Sequence, residues 1–271
     1  MPAPPDPSKR LCTLLLFLAT PAEEEGLEQA AKARGLTFER IKDPKLGEFH
    51  WLGAVGNETV IAIRPTREGG RVVMGAIGRL GTAAKGIRFK EATGARGIVQ
   101  LGMAFGIDPR NQRPGDVLVS ASLIPYDTRD IKPAPGGREG YVVEYTQANQ
   151  QPARPSLVNL FFREKKRGGH PFGIHVGALL SGAARIHSSF FRDELVRCIP
   201  AGEHPIVGGE MEGVGLLAAS TAADDPIWCV VKGISDFADE NRDAVIDANR
   251  PLACRNAAEF VLSALQNDAP G

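Results

Sequence analysis

The chain has 271 residues, 43% of them hydrophobic and 24% charged, a globular composition that excludes the disordered and fibrous classes and leaves enough chain to bury a substantial core. Its 32 basic residues balance 32 acidic ones, so no global charge draws it to nucleic acid or to an anionic membrane, and any anionic ligand must be held by a local site. The four cysteines, Cys12, Cys198, Cys229 and Cys254, form neither a CxxC pair nor a zinc spacing and read as reduced thiols of a cytoplasmic protein.

In chain order, residues 1–8 are Pro-rich and are expected to be disordered, and residues 9–267 read as a single domain. Lys9 and Arg10 precede the apolar run 11–19, which has the outline of a secretory signal. That run ends in the acidic helix start TPAEEE, which favours a buried first strand instead. Further apolar runs of strand length occur at 60–63, 97–101, 117–120, 175–180 and 227–231, with helical patterns between them. The alternation predicts an α/β fold with a central, mostly parallel or mixed twisted sheet flanked by helices. Residues 125–155, rich in Pro, Gly, Gln and Arg, form a long irregular loop suited to a lid or an oligomer contact. In the last helix Cys254, Ala257, Ala258, Val261, Leu262 and Leu265 share one face, which should pack on the sheet.

Open α/β sheets bind ligands beyond the carboxyl ends of their strands. Four segments there combine small residues with carboxylates or close backbone approach: ATPAEEE at 19–25, LGMAFGI at 101–107, VGGEMEG at 207–213 and KGISDFAD at 232–239. Together with the GD of Gly115 and Asp116, and LSG at 180–182 followed by Ile186, they resemble the nucleoside phosphorylase superfamily. The likeness is greatest to its methylthioadenosine/S-adenosylhomocysteine nucleosidases and to the phosphorylase-like nucleosidase domains of bacterial and fungal immune-type proteins. The most specific part is GGEMEG followed about twenty residues later by GISDxAD.

The resemblance implies cleavage of the N-glycosidic bond of a purine, with adenine the expected base, and no cofactor. Such a reaction passes through an oxocarbenium-like state and needs an acid for the departing base and groups that hold the sugar hydroxyls. Asp236 is the expected acid, oriented by Ser235. Glu212 would accept from the ribose 2′- and 3′-hydroxyls, since a carboxylate offers two oxygens to a vicinal diol. Met211 would cover the apolar sugar face, and Glu210, Gly102, Met103, Ala104 and Ile186 would complete the substrate site. Glu210 and Glu212 also suit an ordinary acidic helix start. The apolar helix that follows them argues for an interior pocket. Glu23 is the expected base for water, and Glu25 is the alternative in another register.

The departures from the family pattern favour hydrolysis over phosphorolysis. Where hexameric phosphorylases carry a phosphate-binding arginine and serine, this chain has Gln100 and Met103. Where the nucleosidases stack a phenylalanine on adenine it has Arg185, and Ala183 replaces the aspartate of the SGD segment. A guanidinium can stack on a base or bind a 5′-phosphate. Arg64, Arg67, Arg71, Arg79 and Lys232 are further cations that could reach a polyphosphate, though each also suits the surface. A phosphate-dependent phosphorylase and a nucleotide sensor without turnover are the alternatives. The expected partners are a small-molecule purine nucleoside or nucleotide and a second copy of the chain, in a homodimer or higher homo-oligomer.

Overall fold

The structure is a computed structural model that describes residues 10–43, 46–64, 81–137, 139–145, 150–200, 202–221 and 227–268. Residues 1–8, expected to be disordered, and Arg67, Arg71 and Arg79 lie outside the described residues.

The run read as a possible signal is a central strand, β1 (Leu14–Phe17), which lies between β4 (Glu58–Ile63) and β5 (Gly97–Gly106) and is parallel to both. Alternate side chains of a strand face opposite sides of its sheet, and the two halves of this run feed two cores. Leu14 and Leu16 pack with Leu18 against Leu27 and Ala30 of α1 (Pro21–Ala33) and against Val261 and Leu262 of α6 (Arg242–Gln266). Leu15 and Phe17 face Phe89 of α2 (Thr82–Thr93) and Leu216 and Ala219 of α5 (Gly213–Thr221). Helices α1 and α6 approach so closely that a Cβ on Gly26 would lie 2.8 Å from the Cys254 Cβ, which leaves room only for glycine.

From β5 the sheet continues through β12 (Ile227–Asp236), β6 (Val117–Pro125) and β10 (Ile174–Ser181) to β11 (Ile206–Glu210). Strand β12 is parallel to β5 and antiparallel to β6. Strand β11 returns to pair antiparallel with β5 at Gly208 and Gly106, so five strands close on one another. On the other side of β4 lie β3 (Gly47–Val55) and β2 (Glu39–Asp43), both antiparallel additions. The sheet is therefore mixed and flanked by helices. The short apolar runs read from sequence are its inner strands. Strand β2, ERIKD, carries charge at an exposed edge, so apolar periodicity does not reveal it.

Two elements differ from the sequence expectation. The loop at 125–155 contains an antiparallel ribbon, β7 (Asp130–Pro133) with β8 (Tyr141–Glu144), and a short strand β9 (Gln151–Pro152) on β6. Helix α6 begins twelve residues before the apolar face that announces it, and runs through Pro251. Its first half carries charged residues because it borders a cavity and not the core.

Candidate functional site

The carboxyl ends of β1, β5, β11 and β12 and the first half of α6 enclose a cavity of about 340 Å³. Ten of the eleven residues expected at the site line it, namely Glu23, Met103, Ala104, Arg185, Ile186, Glu210, Met211, Glu212, Ser235 and Asp236. Gly102 does not. Its φ of 152° lets the backbone pass beneath Glu23, where an added Cβ would meet Glu23 Oε1 at 1.8 Å. Gly102 thus makes room for a carboxylate.

Glu23 is fixed by the start of α1. Thr20 is the N-cap: its hydroxyl accepts from Glu23 N–H at 3.3 Å, and Glu23 Oε2 accepts from Thr20 N–H at 2.8 Å and from Ala19 N–H. This reciprocal pair is a capping box, written in the sequence as T-x-x-E. The other oxygen, Oε1, accepts from Met103 N–H at 3.1 Å. Glu25 is exposed and accepts from Gln29, so of the two glutamates only Glu23 lines the cavity. Glu24 turns aside to His50 and Arg64, and that pairing, not the cavity, occupies Arg64.

The surface or polyphosphate reading of Lys232 is overturned. Its side chain is fully buried in β12, with Nζ 3.1 Å from Glu212 Oε2 and 3.6 Å from Glu23 Oε1. Burial opposes its charge, but Glu212, Glu23 and Glu210 outweigh that penalty and hold its pKa above the ordinary lysine value. Burial pushes the Glu23 carboxyl up, the Lys232 charge opposes the rise, and the Glu212 carboxylate adds to it, with a net upward shift. The candidate base and the candidate sugar ligand therefore share one cation.

Glu210 borders the cavity, yet both of its oxygens are engaged by the start of α5. Oε2 accepts from Glu212 N–H at 2.8 Å, and Gly213 N–H donates to the carboxylate at 2.9 Å. Burial, followed by the Glu212 charge, raises its pKa against the pull of Lys232. The helix-start reading thus describes Glu210, whereas Glu212 turns to Lys232 and the cavity.

Asp236 ends β12 and lines the same cavity. Ser235 Oγ lies 2.7 Å from its Oδ2 and 3.1 Å from the Ala104 carbonyl, so the single hydroxyl proton can serve either. Oδ1 accepts from Ala238 N–H at 3.0 Å and lies 3.5 Å from Arg242 Nε. Ala238 is held at φ 51°, a left-handed conformation that costs a side-chain-bearing residue on the order of 1–3 kcal/mol. Arg192 of α4 (Ser189–Cys198) donates to the adjoining Phe237 carbonyl at 2.7 Å and braces this turn.

Arg185 stands exposed on the cavity rim, beside buried Ile186. Gln100, expected to mark the absence of a phosphate-binding arginine, is buried between strands, and its amide donates to the Phe17 carbonyl at 3.3 Å. Thr20, Pro21, Phe105 and Gly209 of the lining fall in the segments singled out from sequence without a role assigned to them, whereas sequence reasoning missed Ala184, Arg242, Ile246 and Arg250. The last three recur at intervals of four, which puts them on one helix face. That spacing was readable, but the polar stretch around it masked the helix.

The chain shares its fold with solved nucleosidase structures and is similar in sequence to proteins named as nucleosidases. No family model matches the chain. A death domain-containing ATP nucleosidase of Amphimedon queenslandica is 25% identical over 94% of this chain and 48% of its own length, so the chain spans about half of that protein. A 5′-methylthioadenosine/S-adenosylhomocysteine nucleosidase of Haemophilus ducreyi is 26% identical over 72% of this chain and 79% of its own length. Among solved structures, the corresponding nucleosidase of Neisseria meningitidis, in complex with methylthio-immucillin-A, superposes with a TM-score of 0.70 at 19% identity. It covers 94% of this chain and 99% of its own. Futalosine hydrolase of Helicobacter pylori matches with a TM-score of 0.70 at 20% identity, over 95% of this chain and 98% of its own.

Proposed function

We propose that the protein hydrolyses the N-glycosidic bond of a purine nucleoside or nucleotide, adenine being the base, and releases the free base and ribose or ribose phosphate. One observation carries this reading: Glu23, Glu212 and Asp236, from three distant chain segments, line a single cavity, with Lys232 binding the first two together. The relatives named as nucleosidases support it.

In this account the sugar lies over Met211 with its hydroxyls on Glu212. The carboxylate's attraction grows as positive charge develops on the ring, so it stabilises the transition state more than the ground state. Glu23 Oε1 takes a proton from the attacking water, and its raised pKa makes it a stronger base than an ordinary glutamate. Asp236, oriented by Ser235, passes a proton to the ring nitrogen of the departing purine. Arg185 stacks on the base at the position where the nucleosidases have an aromatic ring. The negative wall of Glu23 and Glu212 is a poor place for a second anion beside the sugar, which favours water over phosphate as the nucleophile.

Ile131 and Tyr141 of the β7–β8 ribbon are 65% and 70% exposed, which suits a homo-oligomeric contact that light scattering would detect as a dimer or larger species. Among the described residues no helix is long and apolar enough to cross a membrane. The four free cysteines suit a reducing cytoplasm, which fractionation of cells would test. The experiment that tests the function is chromatography of free base after incubation with purine nucleosides and nucleotides, with and without phosphate.

A further inference from the structure

The cavity wall formed by α6 is cationic. Arg242, Ile246 and Arg250 stand one above another at intervals of four, and all three line the cavity. Ile246 is buried, and the two guanidinium groups flank it. Two helical turns separate the arginines, about 12 Å at 1.5 Å per residue, which is the length scale of a mononucleotide. Arg242 is fixed at one end, 3.5 Å from Asp236. Arg250 marks the other end.

The local partners of Arg250 do not use it up. Its Nη2 lies 3.2 Å from Asp247, whose side chain is 86% exposed, so that pair is screened by solvent and weak. Its Nε is buried and has no hydrogen-bond acceptor among the described residues. A guanidinium carries five donors in a planar fork suited to phosphate oxygens. An arginine on the cavity wall whose buried Nε lacks an acceptor, and whose Nη2 has only a solvent-screened partner, is therefore suited to an anion supplied by the ligand.

We propose that Arg250 binds the 5′-phosphate of the substrate, making the cavity selective for purine nucleotides over nucleosides. This rests on the nucleosidase reading above, in which the base lies at Asp236 beside Arg242, so that Arg250, two turns further along the same cavity-lining face of α6, is left for the 5′ group. A free phosphate ion would satisfy the same guanidinium, so the test separates the two sources.

The experiment compares kcat/KM for adenosine 5′-monophosphate and adenosine in the wild type, Arg250→Met and Arg250→Lys. Loss of a charge-assisted contact should reduce the nucleotide value about 10- to 100-fold more than the nucleoside value in Arg250→Met, with partial recovery in Arg250→Lys. Equal losses on both substrates, or none on either, would overturn the proposal while leaving the nucleosidase reading intact. A second arm measures thermal stabilisation of Asp236→Asn, alone and combined with Arg250→Met, by adenosine 5′-monophosphate, adenosine and inorganic phosphate. The nucleotide should stabilise most, and Arg250→Met should remove its advantage over adenosine. Stabilisation by inorganic phosphate equal to that by the nucleotide, lost in Arg250→Met, would reassign the site to a free ion and overturn the proposal. This arm decides the subsite even if the wild type releases no base.

Discussion

Lys232 Nζ lies 3.1 Å from Glu212 Oε2, with both groups withdrawn from solvent and Glu23 completing the cluster. Removing one partner of such a buried pair strands the opposite charge, which costs about 3–5 kcal/mol. Lys232→Met should therefore lower unfolding stability by about that amount in a denaturant titration. It should also shift the pH profile. Glu23 acts as a base only when deprotonated, so activity is lost as pH falls through its pKa, which already lies above the ordinary carboxylate value. Because Lys232 holds that pKa down, its removal should move the acid limb of kcat/KM to higher pH. An unmoved limb would show that Glu23 is not the titrating base.

Asp236→Asn should reduce kcat about 10²- to 10⁴-fold, the usual contribution of a positioned acid. The asparagine carbonyl can still accept from Ala238 N–H, so circular dichroism and thermal stability should change little. Near-normal turnover in this variant would remove Asp236 from the mechanism.

Glu210 and Glu212 are two residues apart but should respond oppositely. Glu210→Ala leaves the first N–H groups of α5 without acceptors and should cost about 0.5–2 kcal/mol of stability, as cap removals do. Glu212→Gln should instead weaken binding and slow turnover together, and wild-type enzyme should handle a 2′-deoxy substrate poorly. If ribo and deoxy substrates react equally, Glu212 does not hold the diol.

Arg185→Ala should depress turnover of nucleoside and nucleotide alike, because a stacked guanidinium touches the base that both share. Phenylalanine at this position should restore what alanine loses. A loss confined to the nucleotide would transfer Arg185 to the phosphate.

How far the sequence revealed this arrangement varies by residue. Glu23, Glu212 and Asp236 were legible because each follows an apolar strand and falls in an ordered set of motifs. The separate fates of Glu210 and Glu212 were not, since their shared helix-start context conceals which carboxylate turns back to the backbone. Lys232 was misread because charge is normally a surface property, and only the packing of β12 against β5 and β6 reveals its burial. The arginines of α6 escaped notice because Pro251 and a polar half-helix obscured a periodicity that the apolar second half displays.

The most direct test is the release of free base. Wild-type protein incubated with adenosine 5′-monophosphate and adenosine should liberate adenine at the same rate with or without inorganic phosphate, yielding ribose 5-phosphate or ribose, and Asp236→Asn should not. Release that requires phosphate and yields a sugar 1-phosphate, or no release from any purine nucleoside or nucleotide, would contradict the account.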